Sequence, residues 1–346
     1  MKIKKIAVQG LFGRHDHTVN IFDNGLTYIH SPNGCGKSTL IKMISLLLTG
    51  NIKDLASIQF QRMDIFFDKG ENLIVVRPDN EMLIQMKRNE LETEMTSEDL
   101  ASLIGTTFIT SERTYVKRGG DGHLVPAVEA YAHELSNKLK EMKKDRTLTV
   151  PAYKDDMGDD KLISWAKDLN AKLNFMKDAG ASVDIPAGLK FPPTRYDLME
   201  SRKEYTDLIH GISDFVKKHH YFSESVIVFN DLMNSFLFDK DLTVDAKGNL
   251  TIRLDDGTNL PLKDMSSGEK QIFIILYKLL FRTSPSSFVM IDEPEISLHV
   301  SWQQRIGTIL KDIARLRDLQ IVAATHSPQI VHDDWDLTNE LRAGSA

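Results

Sequence analysis

With one cysteine in 346 residues, Cys35, the chain cannot form an internal disulfide, and a reducing, cytoplasmic setting is expected. Basic residues are not in excess either. Lys and Arg number 43 against 49 Asp and Glu, a net charge of −6, so nucleic-acid binding would need a local patch. Apolar runs are too short to cross a bilayer, and Met1-Lys-Ile-Lys-Lys leads into an alternating strand instead of a signal peptide's apolar segment. No membrane contact is expected. The rest is ordinary for a soluble globular protein: 41% hydrophobic and 27% charged residues, enough for one large α/β domain or two smaller ones.

Against this background one stretch stands out. Thr27 to His30 reads as a short apolar strand, Pro32-Asn33-Gly34-Cys35-Gly36-Lys37-Ser38-Thr39 follows, and an apolar helix begins near Lys37. Strand, glycine loop and helix in that order form a phosphate-binding loop. Gly34 and Gly36 let backbone N–H groups turn inward, the helix start adds its positive dipole end, Lys37 adds a full charge, and the Ser38 hydroxyl can ligate Mg²⁺. The site expected is therefore one for a nucleoside triphosphate with Mg²⁺, with Asn33, Gly34, Cys35, Gly36, Lys37, Ser38 and Thr39 around the phosphates. Ser31 stands where the usual pattern has its first glycine; that glycine serves a turn more than a phosphate contact, so serine is expected to be tolerated.

Alternating patterns predict strands over 2–9, 17–22, 58–67, 72–77 and 82–87, a β-rich flank beside the nucleotide. From 126 the texture turns helical. Val128, Tyr131, Leu135, Leu139 and Met142 form one stripe, Leu162, Trp165, Leu169, Leu173 and Met176 a second, and a third helix is expected near 196–219. Helices of about 20 residues span about 30 Å, so a compact helical insert is expected, too short for a long coiled-coil arm. Its stripes read as internal packing or as a partner face. A strand meander over 241–262 follows, then an apolar helix over 272–281 and two buried parallel strands at 288–291 and 320–324.

Further motifs sit at the ends of these last elements. Asp292 and Glu293 close an apolar strand, where Asp292 can join the Mg²⁺ shell and Glu293 can face the attacking water. Ser266-Ser267-Gly268-Glu269 opens the apolar helix, either as a second anion nest or as a plain helix cap. His326 follows the last buried strand and places a polar group at the same sheet edge.

Taken in order, Pro32 to Thr39, Met265-Ser-Ser-Gly-Glu-Lys-Gln271, Ile291-Asp-Glu-Pro-Glu-Ile-Ser-Leu-His299 and Ala324-Thr-His-Ser-Pro328 resemble the ABC-type ATPases of the RecF, SMC and OLD group, within the AAA family of ATPases. The Leu-Ser-Gly-Gly-Gln signature favoured by transporter ATPases is not matched, since Ser267 replaces its first glycine, and no glutamine lid is found in the expected place, with Thr110 to Arg113 read as its stand-in. The phrases Gly10-Leu-Phe-Gly-Arg14 and His332 to Leu337 are similar to the small ATPases paired with nuclease-like effectors in bacterial antiphage defence, such as the PARIS ATPase. The resemblance implies an α/β fold, a P-loop NTPase of ABC-ATPase type with a β-rich flank and a compact helical insert. It divides the chain into an N-terminal ATPase part at 1–125, an insert at 126–225 and a C-terminal ATPase part at 226–343, with 344–346 expected to be a cloning scar.

It further implies that Glu293 is the general base, His326 the γ-phosphate switch, and Ser38 and Asp292 the Mg²⁺ ligands. Ser266, Ser267, Gly268 and Glu269 would complete the site of a second protomer, with two ATP molecules between two heads. The function expected is a nucleotide-driven assembly switch acting on a separate, nuclease-like effector. The alternative is a RecF-like DNA-binding ATPase in repair or recombination, with Lys138, Lys140, Lys143, Lys144 and Arg146 as either a DNA-facing stripe or a solvated helix face.

Overall fold

The runs Leu26–His30, Phe288–Asp292 and Gln320–Thr325 are buried almost throughout, as strands covered on both faces must be. The computed structural model describes residues 1–32, 34–78, 81–118, 123–148, 157–244 and 248–341. Asn33 and the tripeptide at 344–346 lie outside the described residues. The chain divides into two units: Met1–Tyr115 with Ser266–Ala346, and Val116–Met265.

The first unit runs β1 (Ile3–Leu11), β2 (His15–Asn20), β3 (Leu26–His30), α1 (Lys37–Leu48), α2 (Ile52–Ala56), β4 (Arg62–Phe67), β5 (Asn72–Val76), β6 (Leu83–Arg88), β7 (Leu91–Glu94), α3 (Ser97–Leu103) and β8 (Thr106–Ile109). The second holds most of β9 (Tyr115–Arg118), then β10 (His123–Pro126), α4 (Ala127–Lys144), α5 (Asp159–Met176), α6 (Arg195–Phe236), β11 (Lys240–Val244), β12 (Leu250–Leu254) and β13 (Asn259–Leu260). The first unit resumes with α7 (Ser267–Tyr277), β14 (Phe288–Asp292), α8 (Val300–Arg317), β15 (Gln320–Thr325), α9 (Pro328–Val331) and β16 (Thr338–Glu340).

Two sheets build the first unit. One is parallel in the order β16-β3-β15-β14-β8, and the other antiparallel in the order β2-β1-β4-β5-β6-β7, the expected β-rich flank. Helix α1 contributes Leu40, Ile41, Met43, Ile44, Leu47 and Leu48 to a continuous core with Ile6 and Val8 of β1, Met63 and Ile65 of β4, Met290 of β14 and Val322 of β15. In the parallel register Asp292 pairs with Ala324, and Ala324 with Ile29. The loops that leave β3, β14 and β15 therefore start from one edge of the sheet. That edge is where ligands bind in open α/β folds.

In the second unit the two expected stripes are buried at Val128, Tyr131, Leu135, Leu139 and Met142 on α4 and at Leu162, Leu169, Leu173 and Met176 on α5. Ala166 takes the core position expected for Trp165, whose indole lies edge-on to His210 at 5.0 Å. The third helix is longer than expected. It spans 42 residues to Phe236 with a kink at Ser201, and the unbroken stretch beyond the kink, 202–236, is about 52 Å long at 1.5 Å per residue. The extension follows from Val226, Phe229, Met233 and Phe236, which keep a spacing of three and four and are all buried. The meander β11-β12-β13 belongs to this unit, whereas the sequence reading placed it with the C-terminal ATPase part.

Candidate nucleotide site

The loop from β3 to α1 is shaped by its glycines. Gly34 and Gly36 sit at φ of 87° and 83°, whereas Ser31 is not in the left-handed region, so that position has no need of glycine. A Cβ on Gly36 would meet Leu11 Cδ2 at 3.0 Å. Helix α1 has Gly36 at its N-cap and no side-chain cap, in contrast to α3, α6 and α7, each closed by a Thr or Ser capping box. Its first N–H groups are thereby left for an anion. Cys35 is buried, and its carbonyl accepts a hydrogen bond of 2.9 Å from His17 Nε2. Burial holds the pKa of His17 below its ordinary value, which keeps that ring neutral.

Lys37, 5% exposed, directs its ammonium at Ser31 O (2.7 Å), Ser31 Oγ (3.0 Å), Pro32 O (3.2 Å) and His326 Nδ1 (3.2 Å). Burial lowers its pKa, opposed by nearby groups that include Glu293 and Asp292. Because an ammonium only donates, His326 Nδ1 is the acceptor, and Nε2–H donates to Glu293 Oε1 at 3.1 Å. Lysine, histidine and glutamate thus form one hydrogen-bonded chain. Beside it the Ser38 hydroxyl donates to Asp292 Oδ1 at 3.0 Å. Burial raises the pKa of Asp292, and Glu293 adds to the rise while the Ser38 bond opposes it. A hydroxyl and a buried carboxylate converging in this way are hard oxygen donors that fit Mg²⁺.

The structure brings Lys37, Ser38, Asp292, Glu293 and His326 together. The segment Ser266–Glu269 forms a helix cap: Ser266 Oγ accepts from Glu269 N–H, and Glu269 Oε2 accepts from Ser266 N–H. Ser266 and Ser267 are exposed, and Gly268 packs so closely that a Cβ would lie 2.8 Å from Ser297 O.

Two residues hold this edge in place: Glu295, which had no role in the sequence reading, and Arg113, which the sequence reading placed only in a stand-in for a glutamine lid. Glu295 Oε1 accepts from the Thr325 hydroxyl (2.6 Å), His326 N–H (2.8 Å) and Ser327 N–H (3.1 Å), so it anchors the loop that carries His326. Arg113, 2% exposed, donates to the carbonyls of Thr110, Asp292 and Glu293. Burial lowers its pKa to about 10, with Glu295, Asp292 and Glu293 acting against the fall. A glutamate just after Asp-Glu-Pro and an arginine just after a buried strand were the available signals.

A family model described as "AAA domain" matches residues 5–225, and a second, described as "AAA domain, putative AbiEii toxin, Type IV TA system", matches residues 158–332. The chain belongs to the AAA domain family. Among curated proteins, this AAA-domain chain is 30% identical over 122 residues to the Retron Ec83 probable ATPase of Escherichia coli, covering 32% of the chain and 22% of that protein. It is 46% identical over 41 residues to the chromosome partition protein Smc of Halobacteriovorax marinus, covering 12% of the chain and 3% of that protein. Among solved structures, an Smc head bound to the C-winged helix domain of ScpA aligns over 99% of the chain and 95% of its own, with a TM-score of 0.50 and 15% identity. That likeness shows the fold, a P-loop NTPase of the Smc-head kind. Among the described residues no helix is long and apolar enough to cross a membrane.

Proposed function

We propose that this AAA-family chain binds ATP with Mg²⁺, hydrolyses it, and serves as a nucleotide-driven assembly switch for a separate nuclease-like effector in bacterial antiphage defence. The observation that carries the ATPase reading is the single cluster of Lys37, Ser38, Asp292, Glu293 and His326 at the C-terminal edge of the parallel sheet. Lys37 and the uncapped start of α1 bind the phosphates. Ser38 and Asp292 would hold Mg²⁺, which when bound neutralises charge on the phosphates. Glu293 accepts a proton from the attacking water, and His326 orients it and meets the γ-phosphate.

The defence reading draws on the retron ATPase and the toxin–antitoxin description among the matches, together with the opening and closing phrases of the chain. The second reading, a RecF-like DNA-binding ATPase, draws on the Smc match. The basic run at the end of α4 and just past it gives it less support, because Lys138 pairs with Glu134 at 3.3 Å, Lys140 with Asn249 at 2.8 Å and Arg146 with Asp184 at 3.2 Å. ATP-dependent, salt-sensitive binding to duplex DNA would favour that second reading.

Phosphate release with Mg²⁺ tests the ATPase reading. Glu293→Gln is expected to bind ATP and to slow turnover by about 10²-fold or more, the usual contribution of a general base. Lys37→Ala is expected to lose nucleotide binding. Wild-type turnover in Glu293→Gln, or unchanged affinity in Lys37→Ala, would remove the reading.

A further inference from the structure

Glu293 has a φ of 46°, in the left-handed region that a residue with a Cβ seldom enters. Such a backbone persists only where its surroundings hold it. Here both peptide planes next to the Glu293 Cα are tied. In the preceding plane, Glu293 N–H donates to Ala324 O at 2.9 Å, and Asp292 O accepts from Arg113 Nη1 at 3.0 Å. In the following plane, Glu293 O accepts from Arg113 Nη2 and from Ile296 N–H, each at 3.2 Å, while the nitrogen belongs to Pro294 and has no proton. One side chain, Arg113, touches both planes.

Pairing of strands does not account for this contact. The ladder between β8 and β14 ends at Ile109 with Ile291, and Arg113 reaches the turn beyond that point. The guanidinium is a rigid planar fork, so two of its nitrogens can bond two successive carbonyls at once, which an ammonium on a flexible stem cannot do with the same geometry. Since φ and ψ of Glu293 are the angles between these two planes and its Cα, the fork sets the direction in which the carboxylate leaves the turn.

We propose that Arg113 is a positioning residue for Glu293: its fork fixes the two peptide planes on either side of that residue and aims the carboxylate without touching substrate. This deepens the ATPase reading above and rests on it. The guanidinium bonds the main-chain carbonyls on either side of Glu293 and its charge also attracts that carboxylate, so its loss is felt in kcat and not in the phosphate contacts of Lys37.

The test is a double-mutant cycle with Arg113→Lys and Glu293→Gln, read by Mg²⁺-dependent phosphate release, affinity for a fluorescent ATP analogue, and the melting midpoint. Arg113→Lys is expected to lower kcat by about 10²-fold, the scale of a misplacement of about 1 Å, with KM and analogue affinity within about 3-fold. In the Glu293→Gln background the same change should lower the residual rate by less than about 3-fold, because the group it aims is gone. Wild-type kcat in Arg113→Lys overturns the proposal. So does a full additional loss in the Glu293→Gln background, or a parallel loss of analogue binding. Arg113→Gln provides the second variant; if neither folds, Arg113 serves stability alone and the proposal falls. Slow turnover in Glu293→Gln with normal turnover in Arg113→Lys rejects this inference alone, whereas wild-type turnover in Glu293→Gln rejects the ATPase reading and this inference with it.

Discussion

Replacing Glu295 by alanine probes the scaffold beneath His326. Its Oε1 accepts three hydrogen bonds, from the Thr325 hydroxyl, His326 N–H and Ser327 N–H. Ser327 N–H also donates to Thr325 Oγ1 at 2.9 Å, so that amide keeps an acceptor. The Thr325 hydroxyl, on a fully buried residue, and the His326 amide lose theirs. Two hydrogen bonds to a charged acceptor, each worth about 1.5 to 3 kcal/mol and discounted because Glu295 is only partly buried, give a loss of about 3 kcal/mol. For a unit of this size that corresponds to a fall of about 6 to 12 °C in Tm, measured by circular dichroism. Glu295→Gln, whose amide oxygen still accepts, should lose about 1 kcal/mol. With its main-chain anchor gone, His326 should hold Glu293 less well, and kcat in the alanine variant should fall by about 10-fold or more. Affinity for ATP, which depends on Lys37 and the loop, should change little. An alanine variant with wild-type Tm and kcat would refute the view that Glu295 anchors the loop of His326.

Asp292→Asn should raise the Mg²⁺ concentration needed for half-maximal phosphate release, because it removes the charged member of the Ser38–Asp292 pair; an unchanged Mg²⁺ titration would count against that pair as the metal site. If nucleotide held by one protomer is closed over by Ser267 of another, as proposed, it stabilises the assembly by linkage, and Glu293→Gln in ATP should shift the chain to a dimer or larger assembly in light scattering. Ser267→Arg should block that shift and turnover while sparing ATP binding. Mixing Lys37→Ala with Ser267→Arg should restore activity through mixed dimers that keep one competent site; one unchanging mass and no recovery would reject the shared site.

Local patterns made much of this protein legible before any coordinates. The phosphate loop needs only neighbours in sequence: two glycines with positive φ, a lysine and a helix start follow one another within a few residues. The buried parallel strands announce themselves by unbroken apolar runs, and Ser266 with Glu269 spells the capping box that the structure contains. Asp292, Glu293 and His326 were readable because each closes or follows such a strand. Boundaries were less legible where two patterns met. The sequence placed the end of the third helix near 219, yet Val226, Phe229, Met233 and Phe236 carry α6 onward because burial against the second unit's core decides the matter.

The supports of the site were decided only by tertiary structure. Arg113 lies 180 residues from Glu293 and Lys37 lies 289 from His326, and no periodicity or spacing rule connects residues so far apart. Parallel register brings them together by setting the ends of β3, β14 and β15 on one edge. Hydrogen bonds there have strict length and angle requirements. A carboxylate or guanidinium that reads in sequence as another surface charge acquires its role once folding removes water and leaves main-chain carbonyls or N–H groups as its partners.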